Sequence, residues 1–339
     1  MDIDNINYPA PKQQYKVLVR CFTFNHSKYI EDALNGFAMQ QTNFPFVCLV
    51  MDDASTDGEQ DVIKAWMERE CDMGRAETID IPTSIVIIVP HKTNASCTFA
   101  FYLLKQNLYK AKEEKMRHVA PWREKCEYEA MCEGDDYWID PLKLQQQVDI
   151  MESDDSIGLC YTRAKIFNQK SGSFEPVLAG KKFEGMSQIL CENPVVTLTA
   201  IYRTRVLNNY LIEINPYVKA WKMGDYPLWL FIYEKKDICF INDITGVYRS
   251  LEESASHSND INKKVGFLDS FYDIQCYFST RYKISYFACT WIKFRYSFTK
   301  VKLYISQKMF SESVKYLVAL PFLFVIGCYG YVQLNKINK

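Results

Sequence analysis

The sequence predicts an α/β fold, a sandwich in which helices cover both faces of a mostly parallel sheet. Four apolar segments without a polar face alternate with stretches that are typical of helices, and this order is characteristic of parallel sheets. The composition agrees, because 48% of the 339 residues are hydrophobic and 15% are aromatic. That is enough to bury a core and excludes a disordered chain. One large domain or two modest ones are expected at this length.

The first half of the chain supplies the predicted elements in order, after a leader over residues 1–14. Strands are predicted over residues 15–21, 46–51, 84–89 and 128–132. Helices are predicted over residues 28–41, from after residue 58 to residue 65, and over residues 99–112. Ligands of parallel sheets bind beyond the carboxyl ends of the strands. We therefore expect the chemistry just after residues 21, 51, 89 and 132.

Two of these strand ends carry clustered carboxylates. Asp52 and Asp53 follow the second strand, and Glu133, Asp135 and Asp136 follow the fourth. Crowded carboxylates repel one another unless protons or a cation compensate. Their oxygens suit a hard divalent ion such as Mg²⁺ or Mn²⁺, which also takes up substrate phosphates. Turn and helix-cap roles explain either cluster alone, but two clusters at neighbouring strand ends favour a metal site.

Several motifs point to a known family. They are Val-Leu-Val-Arg-Cys-Phe-Thr-Phe-Asn at 17–25, Val-Met-Asp-Asp-Ala-Ser-Thr-Asp-Gly at 50–58, Cys-Glu-Gly-Asp-Asp-Tyr-Trp-Ile-Asp-Pro-Leu at 132–142, Gly-Asp-Tyr-Pro-Leu-Trp at 224–229 and Val-Tyr-Arg at 247–249. In this order they resemble the family 2 glycosyltransferases, which have the GT-A fold. The resemblance covers about residues 15–260. It implies a nucleotide-binding half over 15–142 and an acceptor half over 143–260.

The resemblance implies a binding site for a nucleotide-sugar donor. Thr23, Asn25 and Asp53 would contact the nucleotide base and ribose, with Asp52 supporting that loop. These residues all lie at the ends of the first two predicted strands.

The resemblance also implies the catalytic machinery. Asp135 would bind the divalent ion, Mn²⁺ or Mg²⁺, that bridges the donor diphosphate, with Glu133 as a second metal-binding residue and Asp136 beside them on the donor. Asp225 would be the general base for the acceptor hydroxyl, and Arg249 would clamp the diphosphate. A single base without a covalent intermediate implies direct displacement with inversion at the anomeric carbon.

The implied activity is an inverting, non-processive transfer of one sugar to a glycan or lipid-linked acceptor in cell-surface polysaccharide synthesis. The Gln-x-x-Arg-Trp motif of processive members is absent. Glu133 replaces the usual first aspartate of the family's acidic motif, and Phe22 replaces a common proline. Two other functions stay open, a catalytically silent partner that binds nucleotide or anchors an assembly, and a sugar nucleotidyltransferase.

The C-terminal residues 261–339 are expected to form a basic, aromatic helical extension. The formal net charge of the chain is -1, yet residues 281–339 hold ten Lys and Arg against Glu312 alone. Residues 316–332 carry no charge. Basic and aromatic side chains on helices favour peripheral contact with the inner face of a cell membrane through residues 281–339. Packing on the catalytic domain, a homodimer and a spanning helix are the alternatives.

The remaining signals favour a cytoplasmic protein that does not bind nucleic acid. The N-terminus is acidic and polar, unlike a secretory signal, and the twelve cysteines lack metal or disulfide spacing. Near-neutral charge without a nucleic-acid module argues against DNA or RNA as a partner. His257 lies in a polar loop, where a solvated turn is favoured over a mobile loop that contacts the acceptor.

Overall fold

A computed structural model describes residues 8–252 and 260–334, with side chains up to Val332, so His257 lies outside the described residues. The strands are β1 (Tyr15–Thr23), β2 (Phe46–Asp52), β3 (Glu77–Ile81), β4 (Ser84–Pro90), β5 (Cys97–Leu104), β6 (Cys126–Met131), β7 (Tyr137–Trp138), β8 (Ile157–Asn168), β9 (Ser173–Ala179), β10 (Ile201–Arg203) and β11 (Asp237–Ser250). The helices are α1 (Ile30–Ala38), α2 (Glu59–Glu70), α3 (Leu108–Ala111), α4 (Met116–Arg123), α5 (Lys143–Ser153), α6 (Met186–Glu192), α7 (Thr204–Ile214), α8 (Asp225–Lys235), α9 (Ile261–Arg281), α10 (Tyr286–Ser306), α11 (Phe310–Leu317) and α12 (Leu320–Leu334).

These strands form one sheet in the described part of the chain. At its centre β5, β2, β1 and β6 are parallel neighbours, and Val19 of β1 pairs with Cys48 of β2 and Ala130 of β6. Beyond β6, the antiparallel β10 connects to β8, which runs parallel to β11. Seven strands share one direction, namely β1, β2, β3, β5, β6, β8 and β11. The predicted mostly parallel α/β sheet is confirmed.

The helix predicted over residues 99–112 is wrong. Residues 99–104 of that segment belong to strand β5, and only α3 near its end is helical. The segment Cys-Thr-Phe-Ala-Phe-Tyr-Leu-Leu is buried on both faces of the sheet, apart from the partly exposed Thr98. Its even distribution of apolar side chains therefore does not separate a buried strand from a buried helix. The three aromatic residues of the segment, Phe99, Phe101 and Tyr102, suit a strand better.

This strand also corrects the prediction for the segment after residue 89. With β5 inserted next to β2, β4 runs antiparallel between β3 and β5, and Pro90 pairs with Thr98 near the start of β5. The end of β4 therefore lies at the opposite edge of the sheet from Thr23 and Asp52. Residues after 21, 51 and 132 share one edge, and residues after 89 do not.

The core lies on both faces of the central strands. Along β1, Val17 and Val19 pack with α1, α2 and α5 on one face, while Leu18 packs with Trp122 of α4 on the other. Each of these four side chains is fully buried. Because the strands are buried on both faces, their sequences are continuous apolar runs. The packed strands hold the polar loops at their ends in position.

A second core forms around β8 and β10, and the C-terminal helices belong to it. Helices α6, α7, α8 and α9 supply most of its residues. Phe271 of α9 stacks on Tyr226 of α8 with ring centroids 4.7 Å apart. Gln275 of α9 donates to the carbonyl oxygen of Leu190 at 2.8 Å. The helical C-terminal region is confirmed, and α9 completes the core beneath the second half of the sheet.

Candidate active site

The loop after β6 folds tightly against the end of β1. The backbone N–H of Gly134 donates to the carbonyl oxygen of Phe22 at 3.1 Å, and that of Cys132 donates to Arg20 at 3.1 Å. A Cβ placed on Gly134 would lie 2.5 Å from the Thr23 Cβ. Only glycine fits this approach, because any side chain would overlap Thr23. The acidic segment after β6 is thereby held beside the end of β1.

Two carboxylates of this segment, Glu133 and Asp135, face a cavity of about 790 Å³. Arg20 Nη1 lies 3.9 Å from Glu133 Oε1, and His26 Nε2 lies 4.0 Å from Asp135 Oδ2. Burial raises the pKa of Glu133 to about 7, with Arg20 lowering it and Asp135 raising it. The segment is therefore a cluster of crowded carboxylates with the Arg20 guanidinium and the His26 ring beside it.

Asp136 and Arg249 are joined behind the acidic segment. Asp136 also lines the cavity, but it is buried and its Oδ1 accepts a hydrogen bond from the backbone N–H of Arg249 at 2.8 Å. The Arg249 guanidinium donates to the Asp135 carbonyl oxygen at 2.9 Å and to Asp32. It lies over the ring of Tyr137, 4.5 Å from the centroid. Arg249 is not among the residues that line the cavity, and it braces the loop that carries Asp135.

Asp225 faces the same cavity as the acidic segment. It is the first residue of α8, where the positive end of the helix dipole favours a carboxylate. Thr197 donates from its Oγ1 to Asp225 Oδ2 at 2.6 Å, which fixes the side-chain orientation. Thr197 belongs to the 3₁₀ turn Thr197–Thr199 that precedes β10. The structure thus brings the proposed base and the proposed metal-binding residues to one cavity.

Thr23 also lines this cavity, whereas Asn25 does not. The Thr23 hydroxyl donates to the buried Glu59, and its oxygen lies 3.2 Å from His26 Nδ1. Asn25 has a φ of 58°, and its side-chain oxygen accepts a hydrogen bond from the Thr56 backbone N–H at 2.8 Å. The two loops after β1 and β2 are therefore tied together by side-chain contacts.

Asp52 and Asp53 hold the neighbouring segments in place through hydrogen bonds and an ion pair, and neither lines the cavity. Asp52 is buried, and its Oδ1 accepts hydrogen bonds from Gln60 at 2.6 Å and from the Ser55 backbone at 3.1 Å. Asp53 accepts a hydrogen bond from the Leu108 backbone at 2.7 Å and pairs with Lys115 at 2.7 Å. Neither aspartate is among the lining residues, but Lys115 is.

Sequence reasoning missed an ion cluster on the inner wall of the cavity. Glu129 of β6 is fully buried between Arg20 of β1, at 2.8 Å, and Arg123 of α4, at 2.6 Å. All three line the cavity. Burial acts to raise the pKa of Glu129, but the two guanidiniums outweigh it and lower that pKa to about 2. The charged Glu129 inside the strand predicted over residues 128–132 was the available signal.

The donor set suits a metal that is completed by substrate. No group of three or more His, Cys, Asp and Glu side chains in the described ranges is arranged to hold a metal ion. Mg²⁺ and Mn²⁺ need fewer protein ligands where phosphates bind, since one or two carboxylates plus phosphate oxygens and water suffice. Glu133 and Asp135 meet that requirement.

Comparison with known proteins gives two kinds of match, and no family model matches the chain. Uncharacterized proteins of Mycobacterium bovis and Mycobacterium tuberculosis are 29% identical to it over 184 residues. That match covers 53% of this chain and 45% of each relative. The match therefore spans less than half the length of these curated relatives.

Three solved structures of similar fold share between 10% and 16% of their residues with this chain. Residues 1–349 of TarS from S. aureus superpose with a TM-score of 0.47 and 16% identity, covering 94% of this chain and 89% of that chain. The mannosyltransferase PcManGT from Pyrobaculum calidifontis, solved with GDP-Man and Mn²⁺, gives 0.46 and 11%, covering 98% and 78%. Glucosyl-3-phosphoglycerate synthase from Mycobacterium tuberculosis, solved with phosphoglyceric acid, gives 0.44 and 10%, covering 77% and 80%. These likenesses concern the overall arrangement of the chain.

Proposed function

We propose that the protein is a nucleotide-sugar-dependent glycosyltransferase that is metal-dependent, inverting and non-processive. The observation that carries the proposal is the meeting of Asp225 with Glu133 and Asp135 in one cavity. The two groups come from distant parts of the chain, and each suits one half of a sugar transfer. The motifs that resemble family 2 glycosyltransferases contain these same residues.

The acidic segment is proposed to serve the donor. Glu133 and Asp135 would hold a divalent ion that neutralises charge on the leaving diphosphate. Arg249 keeps the Asp135 backbone in place, and His26 lies beside the Asp135 side chain. Thr23 lines the same cavity where β1 ends, and it is proposed to contact the nucleotide there. Asn25, Asp52 and Asp53 are proposed to act on the nucleotide through the shape of the loops that they hold.

Asp225 is proposed to serve the acceptor. A sugar hydroxyl is a poor nucleophile at neutral pH, and a carboxylate within hydrogen-bond reach assists it by accepting its proton. Thr197 holds one carboxylate oxygen of Asp225, and the other accepts no hydrogen bond within the described part of the chain. With Asp225 as the single general base and no covalent intermediate, direct displacement would invert the anomeric carbon.

The acceptor is proposed to be a glycan or a lipid-linked glycan used in cell-surface polysaccharide synthesis. Beside Asp225 the cavity wall is largely apolar, with Tyr217, Trp221, Met223 and Phe267. Such a wall suits the apolar faces of sugar rings and lipid chains. We place the enzyme in the cytoplasm, at the inner face of the cell membrane, where such acceptors would be met.

The test is a transfer assay with a panel of UDP- and GDP-sugars, in Mn²⁺ or Mg²⁺, that measures release of the nucleoside diphosphate. We expect metal-dependent turnover with one donor, and its loss in Asp225→Asn. Asp243→Asn, an exposed aspartate on β11, is the matched control. Nucleotide binding without turnover on any acceptor would instead indicate a catalytically silent nucleotide-binding protein.

A further inference from the structure

Helices α11 and α12 carry an apolar stripe on the surface of the molecule. Phe322, Val325 and Val332 of α12 follow one another at spacings of three and seven residues, which aligns them on one side of that helix, and Val318 lies in the turn between α11 and α12. Between 49% and 76% of each residue is exposed. On α11, Val314 and Leu317 are also about half exposed. Contiguous exposed apolar residues mark a surface that is made to bind something.

The opposite side of α12 is packed against α10 through glycine. A Cβ on Gly330 would lie 2.7 Å from the backbone nitrogen of Ala288 and overlap the Phe287 carbonyl, and a Cβ on Gly327 would lie 3.2 Å from the Trp291 Cα. Such close approach fixes the rotation of α12. Because Gly327 and Gly330 face α10, the apolar stripe lies on the outward side of α12.

The segment that carries the stripe is also rich in lysine. Within residues 281–334 there are eight Lys and Arg and one acid, Glu312, so this segment carries a formal charge of +7. Lys302, Lys308 and Lys315, which lie on or beside α10 and α11, are all exposed. Long basic side chains reach from an apolar surface to anionic headgroups, and each adds about 1 kcal/mol to binding at an anionic membrane. The charge of the region is complementary to anionic lipid.

The helices are short for a membrane span. At 1.5 Å per residue α12 is about 22 Å long, against a hydrocarbon core of about 30 Å. Within the described ranges no single helix has the length and hydropathy to cross a membrane. The pair α11 and α12 passes together, with a bend of 48° between them. A bent pair that exposes apolar residues and has lysines on and next to α11 suits the plane of the membrane interface.

We propose that α11 and α12 dock on an anionic bilayer surface and bury the stripe of Val318, Phe322, Val325 and Val332 in it. Helix α10 connects this surface to the cavity, since Tyr296 stacks on Tyr272 of α9 at 4.1 Å. Helix α9 in turn contributes Phe267 to the cavity wall. The inference extends the localisation in the proposed function, and it stands or falls independently of catalysis.

The test is sedimentation of the full-length protein with vesicles of phosphatidylcholine alone or with 30% phosphatidylglycerol. We expect binding that needs the anionic lipid, and at least a tenfold loss in the double variant Phe322→Asp with Val325→Asp. Replacing Lys302, Lys308 and Lys315 by Gln should weaken binding by roughly 100-fold, at about fivefold per lysine. The matched control is Ile212→Asp, which changes a residue on α7 that is 80% exposed.

Three results would overturn the proposal. The first is no binding to either vesicle, and the second is binding that the Phe322 and Val325 variant leaves unchanged. The third is a dimer, seen by analytical ultracentrifugation without lipid, that the same variant dissociates.

An environment-sensitive dye on the exposed Cys328, in a Cys276→Ser background, gives a second readout that needs no aspartate in α12. Its emission should shift to the blue with anionic vesicles. Neither the Phe322 and Val325 double variant nor the triple lysine variant should change glycosyltransferase activity towards soluble acceptors.

Discussion

Gly134 lies against Thr23 with no space for a side chain, so that the acidic loop after β6 and the end of β1 form one unit. A Cβ on Gly134 would lie 2.5 Å from the Thr23 Cβ and 3.2 Å from Ile30 Cδ1. Thr23 is the last residue of β1, and Gly134 stands between Glu133 and Asp135. The distance between the proposed nucleotide site and the proposed metal site therefore depends on glycine at position 134, where a hydrogen atom takes the place of a Cβ.

Gly134→Ala should reduce stability and activity together. Overpacking a tight site costs about 1–3 kcal/mol of unfolding free energy, and moving the loop displaces both carboxylates. We expect a loss in that range by urea unfolding and at least a tenfold slower transfer. Gly74→Ala is the control, because a Cβ there meets only Asp72 at 3.4 Å, an ordinary contact. Wild-type behaviour of Gly134→Ala would show that the loop can shift freely.

Asp225→Asn should slow transfer without weakening donor binding. Losing general-base assistance lowers kcat by about 10²–10⁴-fold. The amide keeps the size of the side chain and can still accept from the Thr197 hydroxyl. Calorimetry with the nucleoside diphosphate should therefore give an unchanged Kd. A kcat within threefold of wild type would exclude Asp225 as the base.

Glu129→Gln should destabilise the protein and change its response to acid. Breaking a buried ion pair costs about 3–5 kcal/mol, because Arg20 and Arg123 are left without their carboxylate. The folded-state pKa of Glu129, about 2, is below its ordinary value of 4.5. Its stabilisation is therefore complete above pH 4.5 and is lost as the pH falls towards 2.

Chemical unfolding between pH 7 and pH 3 measures this effect. The free energy of unfolding of the wild type should fall more steeply below pH 4.5 than that of Glu129→Gln. If the unfolding free energies of the two proteins fell equally with pH, the ionised Glu129 carboxylate between Arg20 and Arg123 would not be the source of the stabilisation.

Gly330→Ala should loosen α12 while leaving the cavity intact. The added methyl group would overlap the backbone of Phe287 on α10. We expect faster hydrogen exchange in α10 and α12 but unchanged exchange in β1 and β6. Unchanged exchange in α12 would mean that the two helices do not pack through this glycine.

The sequence pattern predicted β1, β2 and β6 because each is an apolar run that ends in polar residues. The family resemblance, rather than the strand pattern, supplied the roles of Asp135 as a metal-binding residue and Asp225 as the base. The pattern could not show β5, because an unbroken run of buried apolar side chains does not separate a strand from a helix. It could not show that Lys115 pairs with Asp53, since that contact depends on how α3 and α4 fold over the sheet.

Titration of UDP and GDP into the protein by calorimetry, with and without Mn²⁺, is the most direct test of a nucleotide site built on the acidic loop. In the wild type we expect Mn²⁺ to tighten binding of one of the two nucleotides at least tenfold. In Asp135→Asn the metal should have no such effect. Equal affinity with and without Mn²⁺ in the wild type, or an unaltered metal effect in Asp135→Asn, would contradict the assignment.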